Sequence, residues 1–299
     1  MFIIFNRPRL SKLVFEKIRQ ARPQRLYVIA DGPRKDNSDD LAKCHAAREI
    51  IETVDWPCAV FKNYSAENLG CGLRLSTGIS WVFEKEEEAI ILEDDCVPHP
   101  FFFRFCTELL DKFRSDESIM HISGNNCAIV SGEGRYSYYF SRIPHCWGWA
   151  TWRRAWRHYD FELRELPDTL LMGKLAQLWK ERIMSRYWEH LFKKIYLSVQ
   201  KHTWDYQWTF ACLTHGGLSI IPNVTLVTNI GFTPDATHTK KLDHPLAALP
   251  VGEIGFPLLH PERISCDEMT DIRMLKDVFG VNRINDFLRI LKNLFSRRL

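Results

Sequence analysis

The sequence predicts an α/β protein: a single large domain of two lobes on a mixed, mainly parallel central sheet flanked by helices. Three observations carry this expectation. Over the first 125 residues, short β-rich runs alternate with longer stretches of helical periodicity, the pattern of repeated βαβ units. The run Ala89-Ile90-Ile91-Leu92 is wholly aliphatic, as a strand covered on both faces must be. The chain has 299 residues, 45% of them apolar and 13% aromatic, which suffices for a large core and excludes disorder.

The elements follow in order. Residues 2–5, Phe-Ile-Ile-Phe, form the first strand; the run is too short for a secretion-signal core and passes directly into Asn6-Arg7-Pro8. Residues 11–21 place Leu13, Val14 and Ile18 on one helical face, and 26–30 give a second strand closed by the turn signal Asp31-Gly32-Pro33. A helix over 39–54 and a third strand over 59–62 come next. Residues 70–84 carry Leu73, Leu75, Ile79 and Val82 at helical spacing and lead into strand 89–92, which a helix over 101–113 follows. Beyond residue 125 the chain turns to aromatic loops, a helical middle from about 170 to 200, and short strands near 218–221 and 225–228. We therefore divide it into a first lobe (1–125), a second lobe on the same sheet (126–265) and a tail (266–299).

Charge and cysteine usage narrow the function classes. Forty Lys and Arg against 37 Asp and Glu give a net charge of +3, mixed along the chain, so nucleic acid is not an expected partner. Nine cysteines, an odd number without a Cys-x-x-Cys pair, suit a reducing, cytoplasmic setting and argue against a cysteine zinc site. No apolar run reaches the roughly 20 residues of a membrane-spanning helix.

The aliphatic strand 89–92 runs directly into Glu93-Asp94-Asp95. Ionised carboxylates at the end of a buried strand are costly without a cationic partner. In open α/β sheets ligands bind at the carboxyl ends of strands, so a divalent ion would be useful there. Alternation sets Glu93 and Asp95 on one side and Asp94 on the other. Carboxylate oxygens suit Mg²⁺ or Mn²⁺, which hold substrate phosphates with few protein ligands. The alternative is a solvated turn whose acids favour the following helix start.

The stretch AIILEDDCVPHPFFFRFCTELL resembles the acidic metal motif of GT-A nucleotide-sugar glycosyltransferases, in particular the family 2-like enzymes and the N-acetylglucosaminyltransferase I branch. The resemblance covers about residues 2–240 and implies a Rossmann-like GT-A fold in which Asp95 ligates the metal. It implies that Arg7, in Phe5-Asn6-Arg7, meets the nucleotide, and that Asp31 reads the base or ribose. Asn68 and Gly70, in Asn68-Leu69-Gly70-Cys71-Gly72, and Arg74 would flank the sugar nucleotide; the alternation along the acidic triplet leaves Glu93 and Asp94, the neighbours of Asp95, for a ribose or a water. Each has a plainer reading: Arg7 as a surface residue, Asp31-Gly32 as a turn, and the glycines as a tight entry into a helix.

Three Trp lie within residues 147–152, with Trp156 four further on. Aromatic faces bind sugar C–H faces as well as filling cores. The helical spacing of Trp149, Trp152 and Trp156 favours the core, while the resemblance sets Trp147 and Gly148 beneath the donor sugar. Inverting transfer needs a base for the acceptor hydroxyl. Trp204-Asp205-Tyr206-Gln207-Trp208 resembles the segment that carries it, with the second acid missing and one residue added, so Asp205 is either that base or the cap of a helix over 206–213. His238 is a candidate for the metal or the diphosphate, and Asp235 the next candidate base.

The expected activity is a metal-dependent inverting glycosyltransferase with Mn²⁺ or Mg²⁺, of hexosyl- or N-acetylhexosaminyl-transferring type. Its donor would be a nucleotide-diphosphate sugar, by resemblance UDP-linked, and its acceptor a glycan or lipid-linked glycan in cell-surface glycan synthesis. A sugar nucleotidyltransferase and a catalytically silent carbohydrate-binding protein of the same fold are the alternatives. The basic, amphipathic residues 283–299 either dock on the protein body or lie on the inner face of an anionic plasma membrane.

Overall fold

The computed structural model describes residues 1–128, 135–232, Leu246, Leu249 and 251–282. Strands β1 (Phe2–Ile4), β2 (Arg25–Ala30), β3 (Ala59–Tyr64) and β4 (Glu88–Glu93) pair in parallel in the order β3-β2-β1-β4. Helices α1 (Pro8–Ala21), α2 (Asp40–Glu49) and α3 (Cys71–Phe83) connect them, and α4 (Pro100–Lys112) follows the short strand β5 (Cys96–Pro98).

Side-chain alternation shows why both faces of this sheet are covered. Phe2, Ile4, Val28 and Ala30 join a core with Val14, Phe15 and Ile18 of α1 and with Phe102, Phe105 and Leu109 of α4. Their neighbours Ile3, Tyr27, Ile29 and Ile91 face the opposite way, onto Leu75, Ile79 and Val82 of α3. Gly78 of α3 lies so close to Ile29 that a Cβ would fall 2.6 Å from its side chain. Leu13 and Leu73, expected inward, are exposed; Phe15 takes the inward position on α1.

The second half extends the same sheet. β6 (Ile119–Ser123), β7 (Tyr138–Ser141), β8 (Trp149–Trp152) and β9 (Leu218–Pro222) complete eight strands in the order β3-β2-β1-β4-β8-β6-β9-β7. β8 is antiparallel to both β4 and β6, β9 is parallel to β6, and β7 is antiparallel to β9. The sheet is thus mixed, with its continuous four-stranded parallel run in the first half. β10 (Val227–Asn229) pairs with β5 in a separate antiparallel ribbon. Part of what the sequence suggests as aromatic loop is strand: β7, and β8 followed by the single helical turn α5 (Arg153–Trp156). Trp149, Trp152 and Trp156 are all core.

Helices α6 (Leu166–Leu171), α7 (Arg182–Tyr196), α8 (Asp205–Thr214) and α9 (Glu268–Asp277) complete the described α-helices. A third core joins Leu166, Trp188, Phe192, Phe210, Met274 and Leu275 from these helices to Cys127 and Ile143. All nine cysteines are free thiols. Among the described residues no helix is long and apolar enough to cross a membrane. His238, Asp235 and the tail 283–299 lie outside the described residues.

Candidate functional site

β4 delivers Glu93 to the carboxyl edge of the parallel strands, and the tight turn to β5 carries Asp94 and Asp95. Arg7 precedes α1 on the neighbouring β1 connection, and its guanidinium spans the turn. Nη1 donates to Asp95 Oδ2 at 2.8 Å, while Nη2 pairs with Asp94 Oδ1. The backbone N–H of Phe5 also donates to Asp94, at 3.3 Å. The cation that the acidic cluster demands is thus supplied, in part, by the chain itself.

One guanidinium does not balance this cluster. Burial first, and then the Asp95 and Asp94 carboxylates, push Glu93 well above the usual carboxylate range, with Asp205 adding to the effect. Burial pushes Asp94 up to about 6 although Arg7 opposes it. The turn thus has more carboxyl groups than its one guanidinium can pair, and Glu93 favours its protonated form.

A cavity of about 480 Å³ opens beside this turn. Arg7, Glu93, Asp95, Trp147 and Asp205, from four distant segments, all line it. Asp94 is not among its walls, as alternation along the chain requires. Trp147 is half-buried and meets Phe232 edge-to-face at 5.5 Å. Gly148 has φ of +62° and packs so tightly on Val227 that a Cβ would fall 2.7 Å from it, so its role is backbone geometry.

Asp205 is the first residue of α8, and the cap position belongs to Trp204. An aromatic block fixes this helix start. Trp204 stacks on Trp149 at 5.5 Å, Trp149 stacks on His121 at 5.0 Å, and Trp208 Nε1 donates to His121 Nδ1 at 3.1 Å. That bond leaves the His121 proton on Nε2, which lies 3.0 Å from the His145 carbonyl oxygen. Burial drives the His121 pKa down to about 3.

Four other residues expected at the ligand serve the scaffold. Asp31 accepts four hydrogen bonds, from Gly32 N–H at 2.9 Å, Asn68 Nδ2 at 3.1 Å, Leu69 N–H at 2.9 Å and Gly70 N–H at 3.0 Å. A carboxylate offers about four lone-pair positions, so Asp31 staples this loop rather than presenting a free acceptor to a base or ribose. Asn68 completes the staple through Gly32 O at 2.8 Å, and Gly70, at φ of +77°, turns the chain into α3. Arg74 corrects the expectation most clearly. It is 4% exposed, it is absent from the cavity walls, and its guanidinium is spent on Ala30 O at 3.0 Å, on Asn63 O and on Asn63 Oδ1 at 2.9 Å.

The structure adds residues that no local pattern reveals. Asn229 lines the cavity, and Ile230 N–H donates to Asp95 O at 2.8 Å, so the loop after β10 packs on the acidic turn. A Cβ on Gly231 would collide with the Asp95 carboxylate. Asn125, Trp188 and Met274 also line the cavity. Trp188 and Met274 read as ordinary helix-face hydrophobes in the sequence, and only the fold turns them toward an open volume. No protein-family model matches this chain, and no curated protein matches it either.

Proposed function

We propose that this protein is a divalent-metal-dependent, inverting glycosyltransferase of GT-A type, transferring a sugar from a nucleotide diphosphate, by resemblance UDP, to a hydroxyl of a glycan or lipid-linked glycan. The observation that carries this reading is the convergence of Arg7, Glu93, Asp95, Trp147 and Asp205 on one cavity at the carboxyl end of a parallel strand. Asp95, with Glu93 beside it, would hold Mn²⁺ or Mg²⁺. Among the described residues no group of three or more His, Cys, Asp or Glu side chains is arranged as a closed metal site. Ions that take one or two protein carboxylates and complete their shell with substrate phosphates do not need one. A cation beside Glu93 and Asp95 would favour the ionised form of Glu93, which burial and the neighbouring carboxylates oppose. When bound, such an ion supplies positive charge against the departing diphosphate.

The protein's own groups divide the remaining work. Arg7 offers charge-assisted hydrogen bonds to a phosphate oxygen once it releases Asp95. Asp205 accepts the proton of the acceptor hydroxyl as general base. Trp147 gives the sugar an aromatic wall.

A thermal-shift series with UDP-, GDP- and dTDP-sugars, with and without Mn²⁺, tests the reading. A donor at about a hundredfold its Kd stabilises the fold by about 2.7 kcal/mol, which in a chain of this size raises Tm by about 5 °C. That rise should require Mn²⁺ and vanish in Asp95→Ala. No shift with any sugar nucleotide would overturn the assignment, and a full Mn²⁺-dependent shift in Asp95→Ala would overturn the metal ligand.

A further inference from the structure

The outer side of α7 ends in a patch that neither the core nor the cavity uses. Met184, Trp188, Phe192 and Ile195 turn one face of this helix into the third core. The opposite side brings Lys193 and Lys194 to the surface, and Tyr196, Leu197 and Val199 follow them at 39%, 76% and 105% exposure. Single exposed apolar side chains are ordinary, but three within four positions form a contiguous apolar surface. The turn that presents them is built by hydrogen bonds. Leu197 N–H donates to Lys193 O at 3.0 Å, and Ser198 Oγ donates to Gln200 O at 2.8 Å across Val199.

Charge says what this surface suits. Lys201 pairs with Glu162 at 2.6 Å, whereas no described acid pairs with Lys193 or Lys194. Residues 171–203 carry seven Lys and Arg against two Glu, a net +5 in a chain whose total is +3. Both lysines complement the dipole at the end of α7, but a helix end does not call for exposed Tyr, Leu and Val beside them. An anionic bilayer takes up both groups at once, with ammonium groups at its phosphates and apolar side chains just beneath. A nucleic acid would leave Leu197 and Val199 in water.

We propose that this patch is an interfacial anchor for anionic lipid bilayers. Lys193 and Lys194 lie among the lipid phosphates, while Tyr196, Leu197 and Val199 enter the boundary between headgroups and acyl chains. Asp205 follows Val199 by six residues, a reach of at most about 20 Å, and His202, Thr203 and Trp204 between them line the cavity. The close approach of the Lys201 and Thr203 carbonyls to Gly72 fixes this link against α3. The anchor therefore holds this wall of the cavity near the lipid surface, where a lipid-linked hydroxyl would be presented. That last consequence rests on the glycosyltransferase reading; the lipid contact itself does not.

The full chain is sedimented with vesicles of phosphatidylcholine alone and of phosphatidylcholine with roughly one third phosphatidylglycerol, at low and raised salt. Binding should require the anionic lipid and weaken with salt. Each lysine at such a surface is worth about fivefold in partitioning, so Lys193→Gln with Lys194→Gln should weaken binding about 25-fold. Leu197→Ser with Val199→Ser should weaken it at least about tenfold with the charge unchanged. All four side chains are exposed, so neither pair removes a packed group. Leu41→Ser, at an exposed leucine of α2, should change nothing. Equal binding to both lipid compositions, no binding to either, undiminished binding in either double variant, or an equal loss in Leu41→Ser would each overturn the assignment. Vesicle binding without a sugar-nucleotide shift would remove the glycosyltransferase reading and leave the anchor standing. A sugar-nucleotide shift without vesicle binding would do the reverse.

Discussion

Asp205 can be separated from a helix-start residue because the cap position of α8 is held by Trp204. At the first helical position an Asp gains only about 0.3–1 kcal/mol from the helix dipole. Asp205→Asn should therefore change stability by no more than about 1 kcal/mol. Under the proposed reading Asp205 as base would contribute at least about a hundredfold to kcat, and in Asp205→Asn that factor should vanish while sugar-nucleotide binding stays intact. A variant with parental kcat would return Asp205 to a structural role. That Arg7, Glu93, Asp95 and Asp205 line one cavity was foreshadowed because each is a charged residue at the end of an apolar element, where a plain core has no use for it. Arg74 and Asp31 were misjudged for a related reason. Both are charged residues beside a glycine-rich turn, and sequence does not tell whether the fold spends their hydrogen-bonding capacity on its own backbone. Arg7 also differs from a surface arginine, since it is the counter-ion of Asp94 and Asp95.

Among the elements, those of the parallel first half were readable, as were α8, β9 and β10 of the second, whereas β6, β7 and β8 were not, and periodicity explains the difference. Aliphatic strands such as β2 and β4 are covered on both faces and stand out as runs. β6, β7 and β8 mix apolar and polar residues over four or five positions, and the Trp spacing from β8 into α5 also suits one helix. Gly72 shows a similar limit: a Cβ there would fall 2.7 Å from Lys201 O and 2.9 Å from Thr203 O, an approach between segments far apart in sequence. The aromatic block that seats α8 depends on a neutral His121. Its pKa, lowered by burial from 6.5 to about 3, means that the unfolded chain binds a proton between these values and the native chain does not. The His121 contribution to stability is thus complete above about 6.5 and is lost as pH falls toward about 3. The gap in unfolding free energy between the parent and His121→Gln should shrink steadily from pH 7 to pH 4. A gap independent of pH, from denaturant titrations across that range, would mean that the imidazole is not held neutral.

At the scale of the whole molecule, the boundary near residue 125 divides chemistry without dividing the fold. The acidic turn and Asp205 come from opposite sides of it, yet the sheet runs through it without a break. β4 pairs with β1 on one edge and with β8 on the other, and β6 is held between β8 and β9. β5, inside the first lobe, takes its partner β10 from the second. A fragment of residues 1–125 would therefore keep β3-β2-β1-β4 but expose the whole β8-facing edge of β4, leave β6 unpaired, and lose Trp149, Trp204 and Trp208 from the core on the α3 face. An exposed, aliphatic strand edge is a template for association. The fragment should be expressed as an aggregating or molten species without a sharp melting transition, whereas the full chain should lose secondary structure and tryptophan burial together. Coincident circular-dichroism and fluorescence melts of the full chain, set beside those of the fragment, measure this. A fragment that melts cooperatively as a monomer would show that the first lobe is a self-sufficient binding domain and that the second was added to a sheet already stable without it.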